Sequence, residues 1–298
     1  TNWISQTSGT TEYSYDVFFS NANIGTIVGD NGTILRTTDG GTTWIPQIST
    51  TTEWLSSVFF IDLNNGTTVG GNGKILITTN GGITWITQNS STPYYLNAIS
   101  YTDANNGIAV GGNGTILRTT SGGTNWISQT SGTTNSLYGV SFTDVNNITA
   151  VGVIGTILRT TNGGTTWVSQ TSGTTNYLSS VSFIDANKGT AVGIGGIILK
   201  TTNGGINWIS QLNGTARRLQ GLSVTDANNG ITVGENGTIL RTTNGGTNWI
   251  SQTSGTTHSL FGVSFTNANN GTAVGDGGLI LKTTNGGTIW TTQISGTT

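Results

Sequence analysis

The sequence predicts an all-β fold: a seven-bladed β-propeller of four-stranded antiparallel blades, built on a 41-residue repeat and filling residues 1–298 as a single domain. Three observations carry that expectation. Trp3, Trp44, Trp85, Trp126, Trp167, Trp208, Trp249 and Trp290 follow one another at intervals of 41 residues with no insertion or deletion. Each interval holds four short runs rich in Val, Ile, Thr, Phe and Trp, and none has helical period. The chain divides into seven such units and an eleven-residue remainder. A β-solenoid is the alternative architecture, although its repeats are usually shorter.

The last repeat shows the elements in order. SLFGVSF (259–265) alternates as a first strand, and NANNG (267–271) reads as a turn. GTAVG (271–275) is a second short strand. A Gly-rich turn leads to LILKTT (279–284), the third strand, which is apolar on both faces and so suits burial between blades. NGG (285–287) turns the chain into TIWTTQ (288–293), the fourth. First strands are expected to start near Tyr15, Leu55, Leu96, Leu137, Leu178, Leu219 and Leu260.

Composition narrows the function classes. The chain has 47 Gly, 2 Pro, no Cys, no Met and only 7% charged residues, with a formal net charge of -2. That balance gives no broad pull toward nucleic acid or anionic lipid. No apolar run has the length of a membrane helix, so membrane insertion is not expected. Absent Cys removes disulfides and thiolate metal sites, and neither a metal nor a cofactor is expected. No signal peptide is visible, and the Thr at position 1 suggests a processed or trimmed start. A sparsely charged Thr/Asn/Ser surface suggests an extracellular or cell-surface protein, with the periplasm as an alternative.

A motif precedes each Trp. TTDGGTTW (37–44) recurs as TTNGGITW, TTSGGTNW, TTNGGTTW, TTNGGINW, TTNGGTNW and TTNGGTIW. Asp39 is thus matched by Asn80, Ser121, Asn162, Asn203, Asn244 and Asn285. A short polar side chain here can accept backbone N–H groups of its own turn, and Gly supplies positive φ at low cost. Trp covers the turn with an apolar face. The pattern resembles the Asp-box, or bacterial neuraminidase repeat, Ser/Thr-x-Asp-x-Gly-x-Thr-Trp. It is a structural staple in the families that carry it. The copy number and the GTILRTTDGG context (32–41) resemble the seven-bladed propellers of the photosystem II stability/assembly factor family and its secreted bacterial relatives. That resemblance implies a non-enzymatic scaffold, with a photosystem-assembly chaperone as one possible role and an arginine-rich patch as a family feature.

Charge recurs at fixed phases. Arg36, Arg118, Arg159, Lys200, Arg241 and Lys282 share one phase, interrupted by Ile77. Asp62, Asp103, Asp144, Asp185 and Asp226 share another, completed by Asn21 and Asn267. Both phases should lie near the Asp-box face. There the acids can cap turns while the cations lie over the neighbouring blade. The sharper alternative is a basic ring for an anionic partner. Asp103-Ala-Asn105-Asn106-Gly107 slightly resembles the start of a calcium loop but lacks the later bidentate Glu, which favours a plain turn.

Repeats this similar act as an internal control, because positions that vary are not needed by the blade. Variation gathers between strand four and the next strand one, on the face opposite the Asp-boxes. Glu12, Tyr13, Glu53, Trp54, Tyr94, Tyr95, Tyr177, Arg217, Arg218 and His258 lie there and are the candidate binding residues. Aromatic faces with sparse polar groups suit a sugar ring or an extended peptide; drift of unconstrained rim residues is the bland alternative. Catalytic residues are not expected. The chain has three Glu, and Glu12 and Glu53 on adjacent blades are the one pair a glycosidase could use. Arg217 and Arg218 are neighbours that would point oppositely in an extended chain, unlike a converging arginine triad.

The remainder is TNWISQTSGTT (1–11), which matches TIWTTQISGTT (288–298) at seven of eleven positions. The chain therefore carries a spare fourth strand containing Trp3 and Ile4. It could close the ring, pack at an edge, fray, or complete a blade of another copy head to tail. The sequence is expected to encode a structural or interaction scaffold that builds filaments with itself as partner or binds another protein. A carbohydrate- or peptide-binding module, an assembly chaperone and a glycosidase are the successive alternatives.

Overall fold

A computed structural model describes residues 10–293. They form seven four-stranded antiparallel sheets, each a meander whose strands neighbour one another in chain order. The blades span 14–46, 55–88, 96–129, 137–170, 178–210, 219–252 and 260–293, numbered here 1 to 7. Their first strands run Ser14–Phe19, Leu55–Phe60, Leu96–Tyr101, Leu137–Phe142, Leu178–Phe183, Leu219–Val224 and Leu260–Phe265 and surround the central axis. Blade 1 begins at Ser14 rather than Tyr15, and Ser14 fills the fully buried place that Leu holds in the other six blades.

The core lies between blades. Val28 and Ile34 of blade 1 pack on Leu55, Val58, Leu76 and Trp85 of blade 2. Val274 and Ile280 of blade 7 meet Val17, Ile27 and Trp44 of blade 1 in the same way, so the ring is closed. Second strands such as Gly25–Gly29 are buried along their whole length, because each faces a blade on both sides.

Two turns join the strands at opposite faces. Between the second and third strands, a single 3₁₀ turn places its middle residue in the left-handed region, as at Asn31 (φ 51°). Between the third and fourth lies the Asp-box. Its hydrogen bonds shorten the fourth strands: the expected 288–293 is strand only at Thr291–Gln293, since the preceding residues belong to the turn. In blade 7 this strand pairs with the third strand as a hairpin, through Lys282 with Thr291 and Ile280 with Gln293. The described ring is thus closed by the C-terminal of the two similar segments. Trp3 and Ile4 lie outside the described residues.

Every first strand carries the same irregularity. Leu137 pairs with Gly152 and Gly139 with Val151, which leaves Tyr138 without an opposite residue, and the equivalent shift recurs in all seven blades. A β-bulge of this kind breaks the strict alternation of side chains and re-aims one of them. The ring of bulges positions the candidate site.

Candidate functional site

The bulged residues are Tyr15, Ser56, Asn97, Tyr138, Ser179, Gln220 and Phe261, one from each blade. All seven line a cavity of ≈ 530 Å³ at the mouth of the central channel, on the face opposite the Asp-boxes. Below them the next position is small in six blades and is Asp16 in blade 1. Small residues keep the channel open; with larger ones the axis would fill with side chains.

One wall is aromatic. Tyr13 meets Phe261 at 6.4 Å between ring centroids, and Phe261 meets Tyr15 at 5.8 Å. Tyr15 then packs on Trp54 at 6.3 Å, and Trp54 on Tyr95 at 6.1 Å. This arc crosses blades 7, 1, 2 and 3, and Tyr95 Oη lies 3.0 Å from Ser136 Oγ of blade 4. Burial, aided by the hydrogen bond Tyr15 donates to Asp30 Oδ1 at 2.8 Å, pushes the Tyr15 phenol up. Burial also raises the phenol of Tyr138, with Tyr95 adding to it and the charge of Arg218 opposing it. Arg218 of blade 6 supplies the cation at this mouth, and its Nε is buried without a hydrogen-bond partner.

Asp16 is the one carboxylate among the described residues lining this cavity. Its Oδ1 accepts from Val17 N–H at 2.8 Å, and its Oδ2 accepts from Ser57 Oγ at 2.9 Å and Val58 N–H at 3.0 Å. The last two come from blade 2, so the carboxylate ties two blades together. Enclosure by the channel wall nevertheless dominates, and the carboxyl is pushed up to about 6 against those hydrogen bonds.

The candidate residues from sequence divide into three groups. Tyr13, Trp54, Tyr95 and Arg218 belong to the mouth or its aromatic arc. Glu53, Tyr94 and Arg217 line separate shallow grooves nearer the rim. Glu53 accepts there from Asn72 Nδ2 at 2.9 Å. Glu12, Tyr177 and His258 fall outside the cavity lining, and Tyr177 is 42% exposed. Arg217 and Arg218 do diverge. The sequence reading missed Tyr15, Asp16, Tyr138 and Phe261, because alternation from phase 13 gives no sign of the bulge. The signal for Tyr15, Tyr138 and Phe261 was present as variation at the bulge phase, and that for Asp16 as a carboxylate among small residues at the phase after it.

The opposite face is built from closed turns. Asp39 Oδ1 accepts from Thr43 N–H and Thr37 Oγ1, both at 2.8 Å, while Thr43 Oγ1 donates to Oδ2 at 2.7 Å. Asn80, Asn162, Asn203, Asn244 and Asn285 accept equivalent backbone bonds, and Ser121 Oγ does so from Asn125 N–H at 3.2 Å. Trp44, Trp85, Trp126, Trp208, Trp249 and Trp290 are buried beside these turns, and Trp167 is half-buried. Asp103 is occupied by Asn105 N–H and by Asn106, the plain turn expected. Arg36 reaches the Leu63 carbonyl of the next blade at 3.3 Å, and Lys282 donates to the Gly40 carbonyl across the ring closure. These cations lie over neighbouring blades.

The model of the family described as photosynthesis system II assembly factor YCF48 matches residues 46–130, 125–217 and 209–295. The chain belongs to this family. No curated protein matches it. Among solved structures, "YCF48 bound to D1 peptide" is 23% identical, with a TM-score of 0.76, over 95% of this chain and 94% of that one. YCF48 from Cyanidioschyzon merolae is 22% identical, with a TM-score of 0.76, over 93% and 96%. A GH74 xyloglucanase from Xanthomonas campestris is 12% identical, with a TM-score of 0.78, over 99% of this chain and 56% of that chain. At these identities the neighbours show the propeller, and the YCF48 family membership rests on the family match.

Proposed function

We propose that this YCF48-family propeller is a non-enzymatic protein-binding module, and that the mouth of its central channel holds an extended segment of a partner protein during assembly. The observation that carries the reading is the ring of seven bulges that aims one side chain per blade into a single cavity, with the aromatic arc facing Arg218. Buried aromatic and Arg anchors are the usual energetic centre of protein recognition. A YCF48 relative whose structure is described as bound to a D1 peptide supports the same class of partner. The neighbouring glycosidase does not redirect the proposal, because two carboxylates across a sugar are needed and Asp16 is alone in the described lining. The sparsely charged Thr/Asn/Ser composition supports an extracellular or cell-surface location, with the periplasm as the alternative. Head-to-tail self-assembly through Trp3 and Ile4 has no support in the described residues, since Thr291–Gln293 already pairs with the last blade's third strand.

The test is selection from a displayed random-peptide library, with the selected peptides remeasured by fluorescence polarisation. Trp54→Ala and Arg218→Ala should each weaken them by about tenfold or more. Peptides that bind both variants as tightly as the parent would place the partner elsewhere. A glycan array run beside it distinguishes a sugar ligand on the same aromatic wall.

A further inference from the structure

Blade 6 departs from its sisters at one position of the Asp-box face. The first strands of the other blades end in Phe19, Phe60, Tyr101, Phe142, Phe183 and Phe265, whereas blade 6 ends in Val224. Five of those rings stand edge-on to the Trp of their own blade, for example Phe183 on Trp208 at 5.8 Å and Phe265 on Trp290 at 5.9 Å. Each seat also includes a Gly with no room for a side chain: a Cβ on Gly66 would come within 2.7 Å of the Phe60 ring.

Blade 6 keeps that seat without the ring. Gly230, Thr242 and Trp249 remain in place, and together with Val224 they border a cavity of ≈ 260 Å³ between blades 5 and 6. A cavity of about 150 Å³ with apolar walls already admits benzene. Lys200 lines the same cavity. Every other cation of its phase hydrogen-bonds a backbone or side-chain acceptor: Arg36, Arg118, Arg159, Arg241 and Lys282 all do. Lys200 has no such partner among the described residues. The other charges at the rim are committed. Lys188 pairs with Asp185 at 3.8 Å, and the Asp226 carboxylate accepts from Asn228 and Asn229 of its own turn.

We infer that this cavity is a binding site for a small aromatic carboxylate. The ligand's ring takes the place of the absent phenyl against Trp249 and Gly230, and its carboxylate accepts from the Lys200 ammonium. An aromatic ring edge-on to an indole and a charge-assisted hydrogen bond are both favourable here. The site lies on the opposite face from the channel mouth and does not depend on the proposed peptide site.

The test is a ligand-observed NMR titration of the full chain with phenylacetate, using toluene as the neutral control. Phenylacetate should bind saturably. Val224→Phe rebuilds the ring present in the sister blades, so it should abolish binding while raising the melting midpoint by about 2 °C or more. Lys200→Met should weaken phenylacetate by about tenfold or more and leave toluene unchanged. Phenylacetate that fails to saturate, or that still binds Val224→Phe, overturns the site. Equal phenylacetate affinity in Lys200→Met overturns the carboxylate assignment.

Discussion

Ile154 holds a backbone conformation that suits Asn or Gly. Its φ is 53°, and its counterparts are Asn31, Asn72, Asn113, Gly195, Asn236 and Gly277. A β-branched residue in the left-handed region is strained, and its side chain here is 58% exposed, so no packing compensates. Ile154→Asn should therefore stabilise the protein by about 1 kcal/mol, measured by chemical denaturation. An unchanged midpoint would mean that Ile154 makes contacts in solution that offset the strain. Asp16 also breaks its phase. Its place in the sister blades goes to Ser, Ala or Gly, and its carboxyl is held near 6 because the channel wall withholds water.

At the level of the element, the Asp-box depends as much on the Thr that opens it as on the Asp or Asn that names it. Thr37, Thr78, Thr119, Thr160, Thr201, Thr242 and Thr283 are all buried. Thr160 Oγ1 accepts from Gly164 N–H at 2.9 Å and donates to Asn162 Oδ1 at 2.9 Å. Thr160→Val keeps the shape but leaves that buried N–H without an acceptor. The expected cost is about 1–3 kcal/mol, read as a lower denaturant midpoint. Ser121 shows why the acid itself is replaceable: its hydroxyl still accepts from the backbone two residues past the glycines. The sequence motif was therefore a legible staple, and its tolerance of Asp, Asn or Ser follows from needing one acceptor rather than a charge.

Across the whole molecule, two opposite titrations shape the pH profile. Asp62, Asp144 and Asp226 are held below the usual carboxylate range by the N–H groups of their own turns. Depressed carboxyls stabilise the fold above their unfolded value near 4, and that stability is lost as pH falls through their folded values. Asp16 runs the other way. Its contribution is complete below the unfolded value of 3.8 and is lost as pH rises through about 6. Stability should thus peak near pH 4 and fall as pH rises toward about 6. Asp16→Asn removes the upper loss and should gain up to about 3 kcal/mol at pH 8 relative to the parent, with little difference at pH 4. Thermal scans of both proteins across that range would show it, and a constant difference at all pH values would mean Asp16 does not titrate there.

The repeat explains how much could be read without coordinates. Spacing of the Trp residues determined the number of blades, and the strand order within each blade followed from short apolar runs and their turns. The second strand at Gly271–Gly275 lies where the pattern placed it. Trp54 and Arg218 were legible as variation on one face. The bulge was not, because it arises when two strands of one sheet pair with one residue left over, and no residue type marks it. Nor could the chain alone decide which of two similar terminal segments sits beside Lys282, since both offer the same edge chemistry. Sequence determined the repeated unit because each blade's local chemistry is self-contained. Tertiary structure decided the channel mouth, the solitary carboxylate and the empty seat beside Trp249, because each exists only where several blades meet.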